Sequence, residues 1–424
     1  MSKKKKTINS LKKYIIAFII VITLMIVFLL LEKTIPNEKS RNNIVKSEVY
    51  YYNYYDYQYS NYNISKGKHE AIDVTGDLYH LTMIYLEDNK HPWKSFIEMN
   101  KDSYISKKMI NKESFKKTKV DSDYSRYWNG QLIILKPLLS FFTMPTIYNI
   151  YLVLFSITFS ILLFYLFKQS KLLAILFTIS SIIVNAFIVT TCDTLIYDFM
   201  ISMIASIIII KMYDKKSKNI DLLFLIVGMA TCYFDLITCE TITLTLPLFI
   251  YVYLNMKNKK NINIKEIIKI IGLWLIGYCF TFLVKWIILA IHYHGDIINK
   301  VFDPMSIRIY YEDQNVFSVI FNSFKEIPNY LYPFGYYIIK CIILVFSLVA
   351  FVYLLIKDKK SSIYYLLLFL ISIIPFIRYC VLSSHSDYHN YFTYRAFLPF
   401  VITCLLFIIL AISKMISIKK KTSS

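Results

Sequence analysis

The stretch "RYCVLSSHSDYHNYFTYRAFLPF", residues 378–400, sets Arg378, His385, Asp387, His389 and Arg395 between two apolar runs. Arginine donates to phosphate or carboxylate through a planar fork, and a neighbouring carboxylate can orient it. Two histidines four apart can hold a metal if helical, or hydrogen-bond to neighbours or to phosphate if not. A second dense stretch, "KVDSDYSRYWNGQLIILKPLLSFF", holds Asp123, Arg126, Tyr127, Trp128 and Lys136. Aromatic rings beside acids suit a sugar: rings stack on its apolar face while carboxylates accept its hydroxyl protons. A juxtamembrane anchor is the other reading of that stretch. A third, "AIDVTGDLYHLTMIYLED", reads as a helix capped by Thr75, with Asp77 in its first turn, Asp73 just before it and His80 one turn later. A carboxylate there either favours the helix dipole or serves as a base held on a rigid element.

These groups belong to an oily chain. Of 424 residues, 56% are hydrophobic, and the mean hydropathy is +0.48. Apolar runs cover residues 14–31, 147–167, 172–191, 195–213, 221–238, 241–255, 266–291, 336–356, 363–379 and 396–413. A bilayer core needs about 20 such residues per helix, so the pattern predicts an all-α polytopic membrane protein with ten spans. The basic start "MSKKKKTINSLKK" leads into the first run with no small-residue cleavage site after it, as for an uncleaved first helix.

Orientation follows from the loops. "KQSK", "KMYDKKSK", "NMKNKKNINIK", "KDKK" and the tail "SIKKK" occupy every second connection, which the positive-inside rule places in the cytoplasm with both termini. Much of the net charge of +20 lies there, so it indicates a membrane surface rather than nucleic acid. The Lys-, Ile-, Asn- and Tyr-rich composition, with 8 Gly, is that of an AT-rich coding sequence. The seven cysteines lie in or beside apolar runs without a C-x-x-C pair, as buried free thiols do.

The chain thus divides into a basic N-terminus and first helix (1–31), an extracytoplasmic loop (32–146), helices two to ten (147–413) with an outer loop at 292–335, and a basic tail (414–424). Asp193, Asp198, Asp235, Glu240, Lys285, Arg378 and Arg395 then collect toward the outer face. Ionisable groups at membrane depth cost a few kcal/mol unless paired or wetted, so the set predicts a polar cavity opening outward; side chains snorkelling singly to the interface are the alternative. Lys136, in a run too short to span before Pro145, is expected at headgroup depth. The Tyr-rich run "EVYYYNYYDYQYSNYN" reads as an interfacial belt or a sugar-stacking surface.

This layout resembles the GT-C superfamily of membrane glycosyltransferases, which use polyprenyl-phosphate-linked sugars. "SRYWNGQLIILKPLL", "YFDLITCETITLTLPL" and "YFTYRAFLPF" are similar to stretches of bacterial membrane proteins with the same arrangement. Asn129 and Lys136 depart from the pattern, which has His and Arg there, and no acidic pair directly follows the first helix. The resemblance implies a polyprenyl-phosphate-linked sugar donor and a cell-surface acceptor, with membrane lipids as surroundings. Cations at Lys136, Lys285, Arg378 and Arg395 would meet the leaving phosphate. Asp77, with Asp73 and Asp123 behind it, would take the acceptor's proton. Asp235 and Glu240 would orient the acceptor or hold a divalent metal, or simply pair within their hairpin; no cofactor is specified. A transporter or flippase of lipid-linked glycans and a non-enzymatic assembly protein are the competing expectations.

Overall fold

The computed structural model describes residues 3–65, 74–293, 297–309, 315–333 and 336–422. Among these residues, seven helices are long and apolar enough to cross a membrane: Leu11–Thr34, Met144–Gln169, Asp193–Asp214, Ile264–Tyr293, Tyr337–Lys357, Ser362–Val381 and Asn390–Lys420. Three shorter apolar helices, Lys171–Ile183, Ile220–Phe234 and Ile242–Lys257, match the remaining expected spans. At 1.5 Å per residue the 15 residues of Ile220–Phe234 reach about 22 Å, short of a hydrocarbon core of about 30 Å. The shortfall has local causes. The helix from Lys171 stops at Ile183 because Asn185 is left-handed (φ 50°) and the chain continues as a 3₁₀ turn, Ala186–Thr191. Ile220–Phe234 ends where Asp235 turns extended. The chain is therefore a multi-pass helical protein in which some helix ends are built from irregular, polar backbone.

Glycines fix the closest helix pair. A Cβ on Gly228 would run into the backbone oxygen of Trp274, and one on Gly277 into that of Leu225. Without those atoms the helices Ile220–Phe234 and Ile264–Tyr293 touch backbone to backbone, the contact that replaces hydrophobic driving force inside lipid. Trp274 Nε1 donates to Thr243 Oγ1 at 3.1 Å, which ties Ile242–Lys257 to the same pair.

The two ends of the bundle differ as the basic connections predict. Lys13 donates to Asn219 at 3.0 Å, Gln169 to Asp214 at 2.8 Å, Lys257 to the Gln169 carbonyl and Tyr364 to the Lys260 carbonyl, while Lys414 pairs with Asp358. These contacts gather the N-terminal helix, all four internal basic connections and the last helix at one end. The opposite end carries the 32–146 segment. Its helix Val74–Leu86 has Asp77 in the first turn as expected, but it is already under way at Val74, so Thr75 lies inside it rather than capping it. A two-stranded antiparallel ribbon pairs Asn100 with Asp123 and Lys101 with Ser122, and thereby sets Lys101 beside the chain that leads to Arg126. The Tyr-rich run forms the helix Glu48–Ser65; Tyr51 is fully buried, its hydroxyl 3.2 Å from that of Tyr148, while Tyr57 faces out.

Candidate functional site

At this polar end lies a cavity of 340 Å³, with Thr75, Gly76, Tyr79, Lys101, Tyr124, Arg126, Thr194, Leu236, Thr238, Arg308, His385 and His389 in its wall and Tyr388, Tyr391 and Phe392 beside them. Three parts of the chain build it: the 32–146 segment, the residues at one end of two helices (Thr194, Leu236 and Thr238), and the late segments around 308 and 385–392.

Three of its cations rest on tyrosines. Lys101 Nζ lies 3.6 Å from the Tyr79 ring centre, the Arg126 guanidinium 4.6 Å from Tyr124 and 5.0 Å from Tyr127, and Arg308 5.7 Å from Tyr127. The rings form a continuous shelf, with centroids 5.5 Å apart between Tyr79 and Tyr124 and 4.9 Å between Tyr124 and Tyr127. A π face holds a cation without consuming its N–H donors. Accordingly Nε of Arg126 and Nε of Arg308 are buried with no acceptor among the described residues. Among the described lining residues none is acidic. The neighbouring Asp123 is committed to Lys300 at 2.7 Å and to Ser125. Burial first, and then the charge of Arg126, lowers the Lys101 pKa to about 8, while burial and the nearby arginines Arg378 and Arg308 lower that of His389 to about 3. Cations with spare donors and neutral imidazoles make a receptor for an oxyanion.

Behind the wall the acids pair inward. Thr238 Oγ1 lies 3.0 Å from Asp198 Oδ2 and 2.6 Å from Asp235 Oδ1, and Asp235 accepts the backbone N–H of Ile237 and Thr238. Glu240 receives Arg378 Nε at 2.9 Å. Asp77 has no exposed surface. Its Oδ2 accepts from Tyr148 at 2.6 Å and from the Asp193 N–H at 2.9 Å, and its Oδ1 accepts the Thr194 N–H at 3.3 Å. It thus caps the helix Asp193–Asp214 from outside, with Asp193 held in turn by His80 at 2.8 Å and Tyr151 at 2.5 Å. Burial, followed by the charge of Asp193, raises the Asp77 pKa to about 7.

No known family, characterised protein or solved structure matches the chain.

The geometry gathers part of the sequence-derived set and disperses the rest. Arg126, His385 and His389 line the cavity, while Asp235 and Arg378 stand behind it through Thr238 and His385. The rings of His385 and His389 touch, centres 4.5 Å apart and tilted by 48°, and no group of three metal-ligating side chains occurs among the described residues. Asp387 meets Ser323 at 3.4 Å and is not among the cavity residues. Asp73 lies outside the described residues.

Four residues expected to face substrate are instead fully buried. Lys136, rather than standing at headgroup depth, is locked between Glu87 and Glu32. Lys285 donates to the Phe96 carbonyl at 3.1 Å. Trp128 donates to the Thr281 carbonyl at 2.9 Å, which makes it a core wedge between the loop and the bundle. Arg395 reaches the carbonyls of Asn185, Tyr391 and Phe392 at 3.3–3.4 Å and stacks on Tyr394. Tyr127 offers the arginines its ring but is otherwise buried. For Lys136, Lys285 and Trp128 the partner comes from far along the chain, so local spacing gave no sign of it, whereas Arg395 folds mostly onto its own neighbours, Tyr391, Phe392 and Tyr394.

Lys101, Tyr79, Tyr124 and Arg308 were not singled out from the sequence. One signal was present for Arg308. The chain has only five arginines (41, 126, 308, 378 and 395) among 48 basic residues, and none lies in a basic connection. Where lysine meets the need for charge, arginine marks a need for the planar fork.

Proposed function

We propose that this chain is a membrane glycosyltransferase whose cavity seats the phosphate of a polyprenyl-phosphate-linked sugar on the extracytoplasmic side. The supporting observation is the tyrosine shelf that carries Lys101, Arg126 and Arg308, the two arginines each with an unfilled Nε donor among the described residues. In the transfer the bond between the sugar and the phosphate oxygen breaks, a bond to the acceptor hydroxyl forms, and the polyprenyl phosphate leaves with the added charge. Preorganised cations at the departing oxygen lower that barrier, and Tyr388, Tyr391 and Phe392 supply apolar faces for the sugar or the first isoprene unit.

The acceptor's proton needs a base. Asp77 faces the helix Asp193–Asp214 rather than the cavity, so in this reading it is a positioning residue that holds Gly76 and Thr194 in the wall. With Asp123 engaged by Lys300 and Ser125, Asp73, two residues before Thr75 in sequence, is the candidate left for the proton. In this reading the cavity end, opposite the basic connections, faces outside the cell, as the positive-inside rule expects.

The test gives membranes bearing wild type or the Arg126→Gln/Arg308→Gln pair a radiolabelled polyprenyl-phosphate sugar. Label should enter a surface glycan with wild type and fall at least a hundredfold with the pair. Undiminished transfer by the pair removes this cavity from the reading. Leaflet exchange of intact labelled lipid without bond cleavage replaces transferase with flippase.

A further inference from the structure

The hydrogen bonds around Arg378 determine more than an ion pair. Its Nε donates to Glu240 Oε1 at 2.9 Å and its Nη1 to Ser386 Oγ at 2.9 Å. Its Nη2 donates to the Ile237 carbonyl at 2.7 Å and lies 3.1 Å from His385 Nδ1. Ser386 Oγ passes its own proton to the Leu382 carbonyl at 2.7 Å, which leaves its lone pair for the arginine. A guanidinium has donors and no acceptor. The His385 Nδ1 that meets it must therefore be the bare nitrogen, and the ring proton sits on Nε2. His385 is itself a cavity residue, and Nε2 is the nitrogen left for whatever the cavity holds.

We propose that His385 presents a neutral Nε2–H donor to a phosphoryl oxygen in the cavity, with Arg378 and Glu240 as the positioning residues that fix its tautomer. The proposal deepens the reading of this cavity as a phosphate site and rests on it for the ligand. It adds a division of labour. Lys101, Arg126 and Arg308 supply the charge, while His385 supplies direction without charge.

Protonating His385 would place a second N–H against the guanidinium. The groups acting on the ring are the charged Arg378 and Arg308 and the titratable His389 one turn on. The nearest carboxylates, Glu240 and Asp387, are engaged by Arg378 and Ser323. Burial, Arg378, His389 and Arg308, in that order, keep the His385 pKa well below that of a free histidine. The geometry alone requires the same protonation state.

The experiment uses the full chain, ¹⁵N-labelled at histidine, in detergent micelles, with His385→Gln to assign the signal. Expected is an unprotonated Nδ1 and a protonated Nε2 whose shifts stay constant from pH 8 to pH 5. A proton on Nδ1, or titration near pH 6.5, overturns the proposal whatever the ligand proves to be. Binding is then read with two probes, inorganic pyrophosphate and farnesyl phosphate, so that a free phosphate and a lipid headgroup are told apart. His385→Phe should weaken the probe that binds by at least tenfold, and His385→Gln, which keeps an N–H, by no more than threefold. Equal binding by the Phe variant sinks the proposed contact. If neither probe binds wild type, the phosphate site fails, and the contact with it, even where the tautomer is as derived.

Discussion

Lys136 separates two accounts of the 32–146 segment, and its removal can be worked through in energy. Glu32, Lys33, Glu87 and Lys136 are each at most 6% exposed and form one buried set. Lys33 pairs with Glu32 at 2.9 Å and Glu87 at 2.7 Å, Lys136 pairs with Glu87 and lies 3.5 Å from Glu32, and its ammonium also meets the Glu32 carbonyl at 3.0 Å. Two acids and two bases leave the set neutral. Lys136→Met keeps the volume and strands one negative charge away from water, which costs about 3–5 kcal/mol. Lys136→Met with Glu87→Gln restores one acid facing one base, and most of that cost should return. The expected coupling is thus about 2–4 kcal/mol between the two sites. The assay is melting in detergent followed by a thiol-reactive dye, because Cys192, Cys232, Cys239 and Cys404 are buried and free. Melting should drop sharply for the single variant and recover in the pair. An unchanged melting point for Lys136→Met, with phosphate-probe binding lost, would refute the buried network and return Lys136 to the headgroup.

Three further outcomes follow from the same reasoning. Gly228→Val forces apart a helix pair in backbone contact and should cost about 1–3 kcal/mol of stability in the same melting assay, whereas Gly272→Val, which meets nothing within 4 Å, should change little. Arg395→Ala should lower melting by at least 2 kcal/mol, as cavity-forming changes do, before any effect on transfer is interpretable; a stable but inactive variant would show that Arg395 touches substrate. Lys101, with its pKa lowered to about 8, loses its proton as pH rises from 7 to 9, so anion binding should weaken at least tenfold over that range in wild type and stay level in Lys101→Arg. The folded chain gives up this proton before the unfolded chain does, so the same group makes stability rise, not fall, between about pH 8 and pH 10. Titration calorimetry and melting at pH 7, 8 and 9 check both signs.

What the sequence made legible is what depends on solvent. Ten apolar stretches and alternating basic connections report directly on where lipid and water lie, and the contacts from Lys13 to Asn219 and from Lys414 to Asp358 join the ends as that pattern requires. Thr75 and Asp77 announce a helix start by local chemistry, and a helix starts there, earlier than a Thr75 cap would set it. What was not legible is which charged groups have partners. Glu87 stands 49 residues from Lys136 and Glu240 138 residues from Arg378, and nothing near either position in the sequence says that the charge is already answered. Density of chemistry along the chain therefore misleads here. "DSDYSRYWNG" holds one residue that lines the cavity with a free donor, Arg126, next to a core wedge, Trp128, because consecutive side chains of an irregular segment point to different sides.

The distribution of arginine and lysine supplies the remaining step. A lysine on a basic connection only has to be positive, and lysine is what such a coding sequence supplies. The cavity end asks for more: several donors at fixed angles from one side chain, held on a ring or by a carboxylate so that the fork cannot swing. Arg378 uses its donors to hold Glu240, Ser386, the Ile237 backbone and His385 together, and Arg126 and Arg308 lie flat on tyrosine with an Nε unused. Two duties thus fall to one residue type, building the wall and facing into it. Replacing Arg378 by lysine keeps the charge but cannot reach four acceptors at once, so it should release the His385 tautomer, whereas Arg126→Lys should leave the fold intact and weaken only anion binding. Equal melting losses in both variants would mean that the two arginines do the same job and that the cavity is merely a polar seam.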